Sequence, residues 1–280
     1  MPDETIPTGR RVLSSMTISA PQGADVRATY DALAPFYDRF TAGHDYELWT
    51  RELEALARRH GARGRRLLDL ACGTGKSFAP FLARGYRVTA CDISPEMLRV
   101  AAARAGDAAV LLERDIRRLE RLGEFDLVLC LDDALNYVTE ADELADVFAG
   151  ISGNLAPGGV AVFDVNTLWC YRTFFASSAV IEDPELVLTW SGRADSSFGA
   201  GDAAEAGLSA FAADGDLWRR TETLHSQRHH PRAVVEDALA RGGLAPLGVF
   251  GQDVSGRIQG ELDDDVHSKA VYLACAQRHA

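Results

Sequence analysis

Leu67-Leu-Asp-Leu-Ala-Cys-Gly-Thr-Gly-Lys76 is an apolar run that breaks into a tight Gly-x-Gly turn. Seventeen residues after Gly75, a second run, Tyr86-Arg-Val-Thr-Ala-Cys91, ends on one acid, Asp92. A strand, a glycine turn, a helix and a second strand tipped with a carboxylate make a βαβ unit. There the backbone closes on a nucleoside and the acid accepts the ribose hydroxyls. The stretch therefore predicts an adenosine-containing cofactor on a parallel α/β sheet.

Two phosphate-binding readings fail on particular residues. A dinucleotide site uses Gly-x-Gly-x-x-Gly, whose third glycine lets helix and strand pack beside the pyrophosphate. That position is Phe78, which also argues against a nicotinamide oxidoreductase. A triphosphate loop uses Gly-x-x-x-x-Gly-Lys-Ser. Gly75-Lys76-Ser77 supplies its end, but the first glycine falls on Leu70, so Lys76 reads as a decoy.

The segment resembles instead motif I of the class I S-adenosylmethionine (SAM) methyltransferases, apolar-Asp-apolar-Gly/Ala-Cys-Gly-x-Gly. SAM has no phosphate to cradle. Asp92-Ile93-Ser94-Pro95-Glu96-Met97 resembles the family's acidic loop, with Ser94 as N-cap and Pro95 opening a helix. Glu113-Arg114-Asp115-Ile116 resembles the next loop. Phe125–Leu131 then resembles the fourth strand, with Asp132-Asp133-Ala134-Leu135-Asn136-Tyr137 at its mouth. Leu155–Gly159 and Val160–Asp164 resemble the following turn and fifth strand, so the likeness runs over roughly residues 25–170. Singly, each piece has a plainer reading: a turn, a helix cap at Asp92, a solvated acid at Asp115, small buried thiols at Cys72 and Cys91. Their order favours the family.

The resemblance implies a doubly wound, mainly parallel seven-stranded sheet of Rossmann-like type, with SAM as cofactor. Asp92 would hold the ribose hydroxyls and Asp115 the adenine amino group. Ala71, Gly73, Gly75, Ile93, Met97, Ile116 and Leu131 would complete the cofactor site. Residues 25–60 resemble the helical lid of small-molecule methyltransferases, with Tyr30, Tyr37 and Trp49 over the cofactor. The plainer reading of Tyr30, Tyr37, Tyr46 and Trp49 is as core anchors. Residues 1–24 are expected to be flexible, and 61–169 with 231–280 to form the core.

After Thr167 the pattern changes to short extended runs. Val180–Ile181, Leu186–Trp190, Ala206–Ala212 and Leu217–Arg228 are separated by turn residues, including Asp214-Gly215-Asp216 between alternating apolar positions, a hairpin signal. Residues 170–230 thus read as an inserted antiparallel β subdomain over the open end of the main sheet. Pro231–Arg241 reads as a helix, Leu244–Phe250 and Lys269–Ala276 as last strands, and Ser255–Val266 as a polar surface loop.

The 280 residues, 47% of them hydrophobic, suit one core domain with an appended subdomain. No apolar run reaches the ~20 residues of a membrane span. The formal net charge of −12 argues against nucleic acid as partner. The cluster Arg58-Arg59, Arg63, Arg65-Arg66 reads as a solvated helix face. Five cysteines without a C-x-x-C pair fit a reducing cytoplasm and no zinc site. Only Lys76 and Lys269 are lysines. The expected partner is a small-molecule acceptor; a homodimer is compatible with the sequence.

Methyl transfer from a sulfonium needs alignment and a dry path more than a base. Among His44, His225, His229, His230 and His267 no spacing makes a metal-ligand set, and no convincing base stands out, which favours a nitrogen acceptor. Asn136 and Tyr137 should sit where the methyl emerges, with Tyr37 or Tyr137 orienting the nucleophile. Asn166, Trp169, His225 and Tyr30 should face the acceptor. By architecture and analogy the chain most resembles N-methyltransferases acting on amino sugars and other metabolites, including those of antibiotic pathways. An O-methyltransferase, an RNA or protein methyltransferase, and a SAM-binding protein without transfer stay open.

Overall fold

The computed structural model describes residues 25–277, so the expectation for residues 1–24 lies outside the described residues. The chain opens with α1 (Val26–Leu33), α2 (Tyr37–Phe40) and α3 (Tyr46–Arg59). The segment is divided into three helices because Pro35 cannot continue α1 and the Thr41-Ala-Gly-His44 stretch separates α2 from α3.

The βαβ reading is realised in β1 (Arg66–Leu70), β2 (Arg87–Asp92), β3 (Ala109–Glu113), β4 (Phe125–Cys130) and β5 (Leu155–Asn166). They run parallel in the order 3-2-1-4-5. Leu67, Leu68 and Leu70 of β1 are wholly buried, as a central strand covered on both faces requires. The helices between are α4 (Ala79–Ala83), α5 (Pro95–Ala105) and α6 (Ala141–Asn154). Ser94 caps α5 through its hydroxyl, which accepts from Met97 N–H at 3.1 Å.

Beyond β5 come α7 (Leu168–Thr173) and the insertion: β6 (Ser178–Asp183), β7 (Leu186–Gly192), β8 (Ala203–Asp214) and β9 (Leu217–Arg228). These form a separate antiparallel sheet in chain order. Asp214 pairs with Leu217, so the chain reverses through Gly215-Asp216, with Gly215 at φ +61°.

Helix α8 (Arg232–Arg241) returns the chain to the main sheet, which β10 (Leu244–Gln252), β11 (Ile258–Glu261) and β12 (Lys269–Ala276) complete. Strand β12 pairs antiparallel with β5, and β10 with β12. The sheet therefore has eight strands rather than seven. The extra one is β11, inside the expected Ser255–Val266 loop. Ile258-Gln-Gly-Glu261 has no alternation of its own and becomes a strand by pairing with the edge of β10.

Strand order reverses between β1 and β4, the switch point where open α/β sheets bind ligands beyond their strand ends. Both the lid and the insertion close over that end. Thr29 of α1 donates to the Leu224 carbonyl of β9 at 3.2 Å, and Ser94 donates to Asp31 Oδ1 at 2.5 Å.

Candidate active site

An open cavity enclosing about 710 Å³ lies at the switch point. Ala71 and Gly73 follow β1 into its wall, Asp92 and Ile93 end β2, Asp115 and Ile116 follow β3, and Leu131 follows β4. Tyr30 and Tyr37 of the lid close it opposite Tyr137. A smaller recess of about 290 Å³ shares Tyr37, Gly73 and Asp132 and reaches Tyr46, Asp69, Lys76 and Ser77.

Gly73 has φ +53°, and a Cβ there would meet only Tyr37 Cε1, at 3.8 Å. Its backbone thus faces open space that a larger side chain would fill. Its N–H donates to Asp92 Oδ2 at 2.8 Å, while Ser94 N–H donates to Oδ1 at 2.8 Å. Burial pushes the Asp92 carboxyl up, against those backbone donors. Two of its lone-pair sites are used, and the others are free for hydroxyl donors. Asp115 caps the following turn and is held by Arg117, which lowers its carboxyl despite the opposing effect of burial.

The sequence reading missed the acidic cluster beneath the cavity. Asp132 and Asp133, at φ +62° and +54°, are with Ala71 (φ +52°) the described non-glycine residues of positive φ, and all three follow β1 or β4. Asp164, at the end of β5, holds that turn: its carboxylate accepts from the N–H of Asp132 and of Asp133, both at 2.8 Å. Lys269 Nζ donates to Asp133 Oδ1 at 2.6 Å and Asp164 Oδ1 at 2.8 Å, and lies 3.9 Å from Asp132 Oδ1. Burial pulls the Lys269 ammonium down, but its carboxylates hold it well above the ordinary lysine value. For Asp132, burial acts upward, while Lys269 and His44 prevail and leave it below the ordinary range. The two hydroxyls of Tyr37 and Tyr46 donate to Asp132 Oδ2, at 3.1 and 2.6 Å. The acid doublet closing an apolar strand, in a chain with two lysines, was the signal for this cluster.

Lys76, a decoy as a phosphate-loop lysine, has a structural role instead. Its ammonium donates to Thr41 O and Oγ1, both at 2.9 Å, and so ties the glycine loop to the lid. Thr74 donates to Asp38 Oδ1 at 2.6 Å, and Arg104 reaches Asp38 and the Thr74 carbonyl, making a second tie.

Several expected contacts fall away from the cavity wall. Trp49 is a core anchor: its Nε1–H donates to Gln252 Oε1 at 2.6 Å. Gly75 serves packing, since a Cβ would stand 2.5 Å from Phe78 Cζ. Met97 is wholly buried in the apolar cluster that also holds Leu33 and Ala34. Asn136 is consumed by structure, donating to the Arg228 carbonyl at 2.8 Å and accepting from Asn166 N–H at 2.9 Å. Asn166 and Gln227 are bonded to each other at 3.0 Å. Trp169 docks by its N–H on the Asp264 carbonyl. His225 lies behind Tyr137, 2.7 Å from its hydroxyl, rather than facing the acceptor. Strand polarity let these residues be assigned to the right end of the sheet, but not to one side or other of its wall. The basic cluster is partly neutralised: Arg58 pairs with Glu54, and Arg66 with Asp126.

Such a cavity, at the switch point of a doubly wound sheet with an acid tipping the second strand, defines a nucleoside-cofactor α/β enzyme. The model of a family described as a methyltransferase domain matches residues 67–159. A putative methyltransferase of Geobacillus sp. (strain WCH70) is 30% identical over 168 residues, 58% of this chain and 68% of the relative. A dTDP-4-amino-2,3,4,6-tetradeoxy-D-glucose N,N-dimethyltransferase of Saccharopolyspora spinosa is 31% identical, over 62% of this chain and 66% of that one. The crystal structure of a SAM-dependent methyltransferase from Clostridium acetobutylicum ATCC 824 superposes with a TM-score of 0.74 at 25% identity, covering 89% of this chain and 99% of that one. The chain belongs to the SAM-dependent methyltransferases, and its cofactor is SAM.

The residues present fit that cofactor. Asp69, 1% exposed, accepts from Ser77 Oγ at 2.5 Å; burial pushes its carboxyl up to about 7, partly opposed by that bond. An acid this short of counter-charge suits the ammonium of SAM in the recess. Asp92 and the open face of Gly73 suit the ribose.

Proposed function

We propose that this methyltransferase acts on the nitrogen of a small amine, an amino sugar or related secondary metabolite. The observation that carries the reading is the acidic cluster: Asp132 lines the cavity and accepts from the hydroxyls of Tyr37 and Tyr46, and its charge favours the positive charge that develops on a nitrogen acceptor over a neutral hydroxyl. When bound, SAM supplies a methyl group already activated on a sulfonium. The chain's own residues then have to orient and enclose. Tyr30 and Tyr37 screen the cavity from water, and Asp132 stabilises positive charge as it moves to the acceptor. The amino-sugar N,N-dimethyltransferase among the relatives supports the same acceptor class.

The five free cysteines support a reducing cytoplasm as the place of action, and a homodimer is the expected assembly, which a sedimentation coefficient of the monomer would refute. The deciding assay offers matched amines and alcohols of nucleotide-linked sugars with SAM and follows products by mass spectrometry. Methylation of amines is expected. Transfer confined to alcohols would replace this reading with an O-methyltransferase.

A further inference from the structure

Behind the cavity wall, Tyr137 Oη lies 2.7 Å from His225 Nδ1, and His225 Nε2 lies 3.1 Å from Thr223 Oγ1. Thr223 Oγ1 in turn donates to the Leu208 carbonyl at 3.4 Å. Thr223 and His225 are two apart on the inward face of β9, and both are buried. A carbonyl can only accept. With the one hydroxyl proton of Thr223 on Leu208, the Nε2–H of His225 goes to Thr223 and the Nδ1 lone pair receives the proton of Tyr137; donation by Thr223 to Nε2 would run the chain the other way, and the tautomer of His225 separates the two. The ring of Tyr30 packs edge-on, 5.5 Å from that of Tyr137 and 6.0 Å from that of His225, with Trp190 at 5.8 Å from the imidazole. The imidazole is thereby wedged in place.

We propose that His225 is a positioning residue that fixes the Tyr137 hydroxyl as a one-way acceptor facing the cavity, so that the site orients acceptors presenting an N–H or O–H donor. The proposal rests on the methyl-transfer reading for its consequence, though the direction of the relay is independent of the acceptor. With its proton committed to His225, the Tyr137 oxygen faces the cavity with lone pairs alone, in reach of the Tyr30 hydroxyl and Gln227 beside it, which an acceptor N–H has to join or displace. An amine donating one N–H to that oxygen has its own lone pair turned toward the methyl carbon. In the transfer the N–C bond forms as the C–S bond breaks, and sulfur keeps the electron pair. The nitrogen leaves as an ammonium and releases its proton to solvent. Burial lowers His225 to about 4, so the imidazole stays neutral and orients rather than removes a proton. A tertiary amine has no N–H to offer, so methylation ends at the dimethyl stage.

The first test is the tautomer of His225 in nitrogen-15 spectra of the full chain, assigned with the His225→Asn protein. Unprotonated Nδ1 and protonated Nε2 are expected; the opposite tautomer overturns the proposal. The second is kinetic. His225→Leu is expected to lower kcat about tenfold while leaving the affinity for S-adenosylhomocysteine unchanged. His225→Asn, which keeps an acceptor near Nδ1, should regain most of that loss, and Tyr137→Phe should match His225→Leu. Equal losses in the Leu and Asn variants would mean packing alone and overturn the role. If the wild type methylates alcohols and no amine, the acceptor reading falls, while the tautomer and the same variants on the alcohol still judge the relay. If the wild type methylates nothing offered, the tautomer alone decides.

Discussion

The residue with most at stake is Lys269, the one ammonium set among three carboxylates at the end of the sheet. Removing one partner of a buried pair leaves uncompensated charge and costs about 3–5 kcal/mol. Lys269→Met is therefore expected to destabilise the fold by that amount in urea unfolding, and a change under about 1 kcal/mol would show that the carboxylates relieve themselves by protonation. Lysine suits the position because a compact ammonium can serve several acids at once, where a planar guanidinium would favour one. The sequence displayed the doublet Asp132-Asp133 and the rarity of lysine. It could not show that Lys269, more than a hundred residues from Asp133, lies in register beside them, because that contact is made by the pairing of β12 with β5. Asp92 and Gly73 were legible for the opposite reason, since one βαβ unit fixes both.

Among the elements, the glycine turn is pinned from two sides. Gly75 has φ +83°, and any Cβ would press on the wholly buried ring of Phe78. Left-handed strain and overpacking together put Gly75→Ala at about 2–4 kcal/mol of lost stability, read by denaturant titration. On its other side Thr74, Asp38 and Arg104 tie the turn to the lid. Asp38 and Arg104 are partly exposed, so their ion pair contributes about 1 kcal/mol at most. Asp38→Ala should accordingly leave global stability within about 1 kcal/mol of wild type but speed release of S-adenosylhomocysteine about threefold, as stopped-flow would measure. The element pattern was mostly readable: β9 and β12 begin and end, and α5 begins, where periodicity and caps placed them. Strand β11 was not, because its conformation comes from the neighbour it joins.

At the scale of the whole molecule, two buried groups set opposing pH slopes. Burial raises Asp69 from 3.8 to about 7, so the folded state holds its proton more tightly. Its contribution is complete below the unfolded value and is lost as pH rises through about 7. Burial lowers His225 from 6.5 to about 4; the unfolded chain binds that proton better, and stability is lost as pH falls through this window. Each is worth up to about 3 kcal/mol, and they largely cancel in the wild type. Between about pH 4.5 and about pH 6.5, Asp69→Asn should become more acid-sensitive than wild type, and His225→Asn should lose stability more steeply as pH rises. Parallel slopes in all three proteins would refute the assignment. A last consequence follows from where the two lysines sit. Apart from the chain terminus, amine-directed acylating reagents have targets only at Lys76 and Lys269, both against the cofactor end, and burial lowers Lys76 toward the more nucleophilic free base. The protein thus carries a built-in footprinting probe: occupancy of the recess should shield Lys76 from acylation, and one modified peptide in a mass spectrum would report it.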